Sequence, residues 1–210
     1  MSDLFKKELL FKILVVGDFG VGKTSIIKRY AEGTFSPKYK MTIGADFALK
    51  QLDWDSETRI NIQLWDIAGH ERFGYLTSVY YRYAVAAAIV FDLTRPDTFF
   101  AVAKWLADLR DKVSLPVGRP LPVIILANKG DVAANKVPPQ IEEFCKKNHI
   151  TSWYVTSAKE NRNIDEAMNR VVVEVLENQR NNNLYNSDSV MLAEEMHTDK
   201  HNNGQLCCSR

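Results

Sequence analysis

The segment GDFGVGKT, residues 17–24, constrains the fold of this 210-residue chain more than any other. It fits the pattern G-x-x-x-x-G-K-[ST]. It follows the β-branched run KILVV and opens KTSIIKRYAEG, in which Ile26, Ile27 and Tyr30 recur at helical spacing. A strand, a glycine loop and a helix in that order cradle phosphate: successive backbone N–H groups wrap the anion, and the helix N-terminus adds partial positive charge. Gly17, Phe19, Gly20, Val21 and Gly22 belong to this binding loop, and Ser25, just after it, is a further candidate binding residue. Lys23 is placed to reach the β- and γ-phosphates, and the Thr24 hydroxyl to bind Mg²⁺. A glycine-rich turn could match the spacing by accident, but the flanking strand and helix argue against it.

The remaining pattern alternates strand and helix from about Lys12 to Asn178. KILVVGD (12–18), AVAAAIVFD (84–92) and LPVIILANK (121–129) read as buried parallel strands, and SWYVTSA holds a last one. ADFALKQLDWD and RINIQLWD alternate across Asp55–Glu57, an antiparallel hairpin. Helical spacing recurs in DTFFAVAKWLADLRDKV, after Pro138-Pro139 (with Ile141, Phe144 and Cys145 on one face), and in IDEAMNRVVVEVLENQ. Repeated β–α units predict an α/β open sheet with helices on both faces and ligands outside the carboxyl ends of its strands. From Asn181 onward the chain is polar, asparagine-rich and aperiodic, so residues 1–180 are expected to fold and 181–210 to form a flexible tail.

A phosphate loop does not choose a base. NKGD (128–131), at the end of a strand, chooses guanine. The Asp131 carboxylate offers two acceptors to guanine's N1–H and N2–H₂, and against adenine it would stay unpaired. Asn128 is expected to contact the base edge and tie loops together, with the Lys129 stem over the ring. In TSAK, Ser157, Ala158 and Lys159 bring a backbone N–H to the guanine carbonyl. By itself NKGD is also an ordinary turn composition; behind a phosphate loop it is informative.

The order of GDFGVGKT, TIGADF, WDIAGHERF, NKGD and TSAK resembles the small GTPases of the Ras superfamily. YKMTIGADF and ERFGYLTSVYYR resemble switch regions of the Rab family. FALKQLDWDS and WLADLRDKVSLPVGRPLP resemble the Rab subgroup of lysosome-related organelles. The resemblance covers about Phe11 to Asn178 and the C-terminal cysteines. It implies a P-loop small-GTPase fold with a mostly parallel six-stranded sheet flanked by helices. It also implies GTP/GDP and Mg²⁺ as ligands, with Thr42 on both Mg²⁺ and the γ-phosphate and Asp66 as the Mg²⁺-linked acid. Gly69 lies beside the γ-phosphate, Phe35 packs on the guanine, and Tyr39 covers the phosphates. Phe47, Trp65 and Tyr80 become an aromatic triad read by effectors; each also reads plainly as a half-buried side chain of a strand or helix. Implied partners are effector proteins, an exchange factor, a GTPase-activating protein, a prenylation escort and a GDP-dissociation inhibitor, with the folded domain monomeric.

Two residues depart from the pattern. His70 stands where the family has a water-orienting glutamine, and its rigid ring points donor and acceptor apart. Phe19 stands where Ras has glycine and would crowd the γ-phosphate. The switch loops offer no obvious arginine to act in cis. Lys23, Thr42, Gly69 and His70 are therefore the candidate catalytic set, and slow hydrolysis is expected. In the alternatives, a partner supplies the catalytic side chains while His70 faces solvent, or the protein is a GTP-locked platform. A P-loop kinase is a further rival, opposed by NKGD and by the lack of an arginine-rich lid.

Cys207-Cys208 resembles the double-cysteine endings that carry two geranylgeranyl groups; two chains are needed because one binds membrane only marginally. An unmodified thiol pair is the plainer alternative. Expected residence is the cytoplasmic face of endomembranes, cycling with cytosol. The N-terminus makes a poor signal peptide, Ser2 excludes N-myristoylation, and no apolar run reaches membrane-span length. A net charge of +1 gives no field that would recruit nucleic acid. Three cysteines are too few for a disulfide framework and point to a reducing compartment, with Cys145 as a small core residue.

Overall fold

A computed structural model describes residues 6–38, 40–70, 77–133 and 136–180. The chain divides into two units, Met1–Val172 and Val173–Arg210. In the first, β1 (Lys7–Val16) leads through the glycine loop into α1 (Lys23–Glu32), followed by β2 (Ala45–Asp53) and β3 (Thr58–Ile67). Then come α2 (Thr77–Tyr81), β4 (Ala86–Asp92), α3 (Pro96–Lys112), β5 (Val123–Asn128), α4 (Ile141–Lys147) and β6 (Ser152–Val155). A last helix, α5, covers 164–180, and Ile164, Ala167, Met168, Val171 and Val172 are its buried residues in the first unit. Of the second unit, residues 173–180 are described and are helical.

The six strands form one sheet in the order β2-β3-β1-β4-β5-β6. Only the β2–β3 pair is antiparallel; the other four pairings are parallel. β4 and β5 are buried along their whole length, as apolar runs covered on both faces must be. The hairpin is sharp because Asp55 accepts the Glu57 N–H at 2.8 Å, an Asx-type turn at the expected DSE. β1 begins five residues before the expected Lys12, at Lys7, where its outer half pairs with β3 (Lys7↔Thr58). KELLFK hides that pairing, because it has neither an alternating nor a continuous apolar pattern and only Phe11 in it is buried.

α1 closes on Gly33 at φ 72°, whose N–H returns to the Arg29 carbonyl. α3 starts at Pro96, where a missing N–H costs nothing, with Asp97 in its first turn and Lys112 in its last. Phe99, Val102, Trp105, Leu106 and Leu109 make its buried stripe. α4 starts at Ile141, later than the proline pair suggests. Pro138 precedes a proline and is biased away from helix, so 139–140 form a turn in which Ile141 N–H reaches the Pro138 carbonyl.

Candidate functional site

The carboxyl ends of β1, β3, β5 and β6 bring GDFGVGKT, WDIAGH, NKGD and TSAK to one edge of the sheet, where TIGADF enters β2 and β1 lies between the two directions of winding. Residues 71–76 of the second switch segment lie outside the described residues. A cleft of about 850 Å³ opens there. Its walls include Phe19, Gly20, Gly22, Lys23, Thr24, Ser25, Phe35, Thr42, Gly69, His70, Asn128, Lys129, Asp131, Ala158 and Lys159. Gly17, Val21, Asp66 and Ser157 stand behind this lining. Tyr39 lies outside the described residues. Lys28, Lys38 and Val132, which no motif marks, also line the cleft, as do Lys40 and Met41 of YKMTIGADF.

Glycine is required at two places in the loop. At Gly17 (φ 140°) a Cβ would lie 2.1 Å from the Val90 carbonyl oxygen on β4. At Gly22 (φ 101°) it would lie 2.3 Å from Asn128 Nδ2. Both neighbours are fixed, so the phosphate loop and β4–β5 can meet only over bare backbone. Lys23 is buried and its ammonium donates to the carbonyls of Gly17 (2.9 Å) and Asp18 (3.0 Å). Burial pulls its pKa down to about 8, against the attraction of Asp66 and Asp18, with Arg95 pushing the same way as burial. The Asp18 carboxylate accepts the Trp105 indole N–H at 2.9 Å, which ties the loop to α3.

Three hydroxyl and carboxylate groups converge beside Lys23. Thr24 Oγ1 and Thr42 Oγ1 lie 3.0 Å apart and both donate to Asp66 Oδ2, Thr42 at 3.0 Å. The other oxygen, Asp66 Oδ1, is buried without a hydrogen-bond partner. A buried carboxylate oxygen with no donor is costly unless a cation or its water fills the place, and two hydroxyls beside it complete an oxygen donor set suited to Mg²⁺. The residues therefore fit the metal that the sequence implies.

The base end is equally determined. Asp131 Oδ1 accepts from Ser157 Oγ at 2.7 Å, and Lys159 Nζ stands 3.8 Å from Oδ2. Ser157 thus contributes a side-chain hydrogen bond in addition to the backbone role expected of TSAK. Asn128 Nδ2 donates to the Val21 carbonyl at 2.9 Å and its Oδ1 accepts from Thr156 at 3.3 Å, so it does tie loops together. Lys129 adopts φ 64°, a strained state for a side-chain-bearing residue. Its ammonium is held by Asp92 Oδ2 (2.7 Å) and the Gly20 carbonyl (2.9 Å). Arg29 reaches across from α1 to the carbonyls of Ala158 (2.9 Å) and Lys159 (3.2 Å).

Sequence reading missed a second charge centre. Asp92 is buried at the end of β4, and its Oδ1 accepts from Thr94 N (2.9 Å) and Oγ1 (2.6 Å). Its Oδ2 accepts from Lys129 and, at 3.2 Å, from Arg95 Nε. Burial opposes its charge, yet the bonds from Lys129 and Thr94 prevail and hold its pKa below the ordinary carboxylate value. Arg95 Nη2 donates to the Phe19 carbonyl at 2.7 Å, and the guanidinium lies 5.3 Å from the Phe19 ring centroid. An arginine outside the switch loops therefore already sits at the phosphate loop. Phe19 is 64% exposed, while Gly69 lies so close behind it that a Cβ would meet Phe19 N at 2.3 Å. His70 is exposed at the cleft rim.

Away from the cleft, Phe47 and Trp65 face each other across β2 and β3 with ring centroids 5.8 Å apart and planes 22° apart. The Lys12 ammonium lies over the Trp65 ring, 3.6 Å from its centroid. Trp65 and Tyr80 are half-buried as expected, whereas Phe47 is 56% exposed, because among the described residues no element covers this face of the β2 edge.

Over residues 12–177 the chain matches the Ras family. It is 50% identical over 206 residues to the Ras-related protein Rab-32 of Homo sapiens, spanning 96% of this chain and 91% of that one. To the Ras-related protein Rab-7L1 of Rattus norvegicus it is 46% identical over 203 residues, spanning 96% and 98%. To the Ras-related protein Rab-32B of Dictyostelium discoideum it is 53% identical over 169 residues, 80% of this chain and 65% of that relative.

Proposed function

The chain belongs to the Ras family of small GTPases, within its Rab group, and on that premise we propose a membrane-anchored GTP/GDP switch that recruits effectors in endolysosomal trafficking and hydrolyses GTP slowly. Residues 1–180 form the nucleotide-binding domain and 181–210 a tail anchored through geranylgeranyl groups on Cys207 and Cys208. The observation that carries the reading is a buried, Ser157-held Asp131 carboxylate at the same cleft as Lys23. Guanine's two donors satisfy that carboxylate, and adenine leaves it unpaired, a mismatch worth about 10⁴-fold or more in discrimination.

Each polar group then has one task. Lys23 leaves two backbone carbonyls for the phosphates, and the loop N–H groups bind them. Thr24, Thr42 and Asp66 hold Mg²⁺, which neutralises charge on the phosphates when bound. Phe35 packs on the base, and Asn128 and Lys129 brace the loop. Phosphoryl transfer rests almost wholly on positioning, and His70 presents an exposed, rigid ring where a flexible amide would hold the attacking water. Phe47, Trp65 and Tyr80, with Lys12 beside them, form the effector face. The remaining partners are an exchange factor, an activating protein, a prenylation escort and a GDP-dissociation inhibitor, and the compartment is the cytoplasmic face of endomembranes. A second reading, a platform that stays in its GTP form, is favoured by Phe19 and Arg95 filling the side from which an external arginine would enter.

The nucleotide retained on purification, followed with time, tests both readings. Guanine nucleotide is expected, with single-turnover hydrolysis at or below the ~10⁻⁴ s⁻¹ of unassisted Ras. His70→Gln should raise that rate roughly tenfold or more with GTP affinity nearly unchanged. If His70→Gln releases phosphate no faster than the parent, His70 is not the brake and the activating partner supplies the catalytic side chain.

A further inference from the structure

Three consecutive carbonyls of the phosphate loop are gripped by side chains from other parts of the chain. The Val21 carbonyl accepts from Asn128, the Gly20 carbonyl from Lys129, and the Phe19 carbonyl from Arg95. The peptide bonds of this loop are trans, so the C=O and the following N–H of each unit point in opposite directions. Pulling those carbonyls outward turns the N–H groups of Gly20, Val21 and Gly22 inward as an anion-binding nest. The NKGD motif supplies two of the donors. The third comes from a residue outside every motif, 76 positions along the chain.

Arg95 could not hold this carbonyl unaided, since a long side chain with one bond to backbone would sample other rotamers. Asp92 restricts it. The same buried oxygen, Oδ2, accepts from both Arg95 Nε and Lys129 Nζ, while the two Thr94 donors occupy Oδ1 and fix the plane of the carboxylate. One carboxylate at the end of β4 thus sets the direction of two cations, and each cation sets the direction of one loop peptide. The Phe19 ring against the guanidinium closes the arrangement on the solvent side.

We infer that Arg95, oriented by Asp92, is a positioning residue of the nucleotide site: it fixes the Phe19–Gly20 peptide so that the Gly20 N–H faces the bound polyphosphate. The inference rests on reading the cleft as a guanine-nucleotide site. It assigns Arg95 to phosphate binding through backbone, with no contact of its own to the nucleotide. It also gives Phe19 a reason to be tolerated in the loop, because its carbonyl takes the hydrogen bond while its ring lies against the same guanidinium.

The test uses the full chain loaded with GDP, in three forms: the parent, Arg95→Met and Arg95→Lys. Methionine keeps an apolar stem against Phe19 and removes every donor; lysine restores one donor without the Nε–Nη2 pair. Arg95→Met is expected to release GDP about tenfold faster, the scale of one charge-assisted hydrogen bond. It should also move the β-phosphate ³¹P resonance of the bound nucleotide, and Arg95→Lys should recover part of both effects. Arg95→Ala, read the same way, stands in if Arg95→Met is unfolded by circular dichroism. Release within twofold of the parent overturns the inference. So does faster release with an unmoved resonance, which is what general loosening of the fold would give. A parent that binds no guanine nucleotide overturns the reading of the site itself, and this inference falls with it.

Discussion

Lys23 shows how far one buried side chain can be read. Desolvation lowers its ammonium from an ordinary 10.5 to about 8, and a polyphosphate beside it would restore the charge. The folded pKa lies below the unfolded one, so from about pH 8 toward 10.5 the unfolded chain holds the proton that the folded chain has lost. Stability from this group therefore rises with pH across that window. Nucleotide binding runs the linkage in reverse. Above pH 8 it should take up protons, approaching one per nucleotide near pH 9, and very few at pH 7. Titration calorimetry in two buffers of different ionisation enthalpy measures this. Equal heats at pH 9 would mean that Lys23 keeps its charge in the absence of phosphate.

At the scale of elements, base choice depends on parallel register. β4, β5 and β6 pair so that Phe91, Ala127 and Val155 lie level, and the loops leaving β5 and β6 therefore arrive side by side. That is why Ser157 can hold Asp131 from a different strand. Asp131→Asn should weaken GTP binding by about 10²-fold or more and favour xanthine nucleotides, whose C2 carbonyl accepts from the new amide. Ser157→Ala should weaken GTP and GDP alike, by about fivefold, because it frees the carboxylate without changing its chemistry. Competitive titration with guanine and xanthine nucleotides measures both; unchanged GTP affinity in Asp131→Asn would end the assignment.

For the whole molecule, the question is how a folded domain meets a membrane. Among the described residues no helix is long and apolar enough to cross one. The tail lies outside the described residues, and its composition has few basic residues to hold an acidic surface. On the proposed reading, attachment rests on the lipid carried by Cys207 and Cys208. One chain of that size binds reversibly, whereas two hold, so Cys208→Ser should move the protein largely to the cytosolic fraction. Membrane recovery equal to the parent would require another anchor.

Much of this molecule was already legible in contiguous segments. The phosphate loop, NKGD, the hairpin turn and the fully apolar strands each carry their physics within ten residues, because backbone turns, helix starts and strand burial are local in sequence. Family membership and the place of the cleft followed from their order. What the sequence could not show is who holds these motifs in place. Trp105 on Asp18, Arg95 on Phe19 and Arg29 on Ala158 join residues 87, 76 and 129 positions apart. Such pairs exist only once sheet order and helix docking bring separate elements together. No spacing rule links them, so an aspartate at a strand end and an arginine before a helix read as ordinary surface and cap residues. The outer half of β1 and the exposure of Phe47 were hidden for the same reason: a sheet face is covered or bare according to its neighbours, and the neighbours are a tertiary fact.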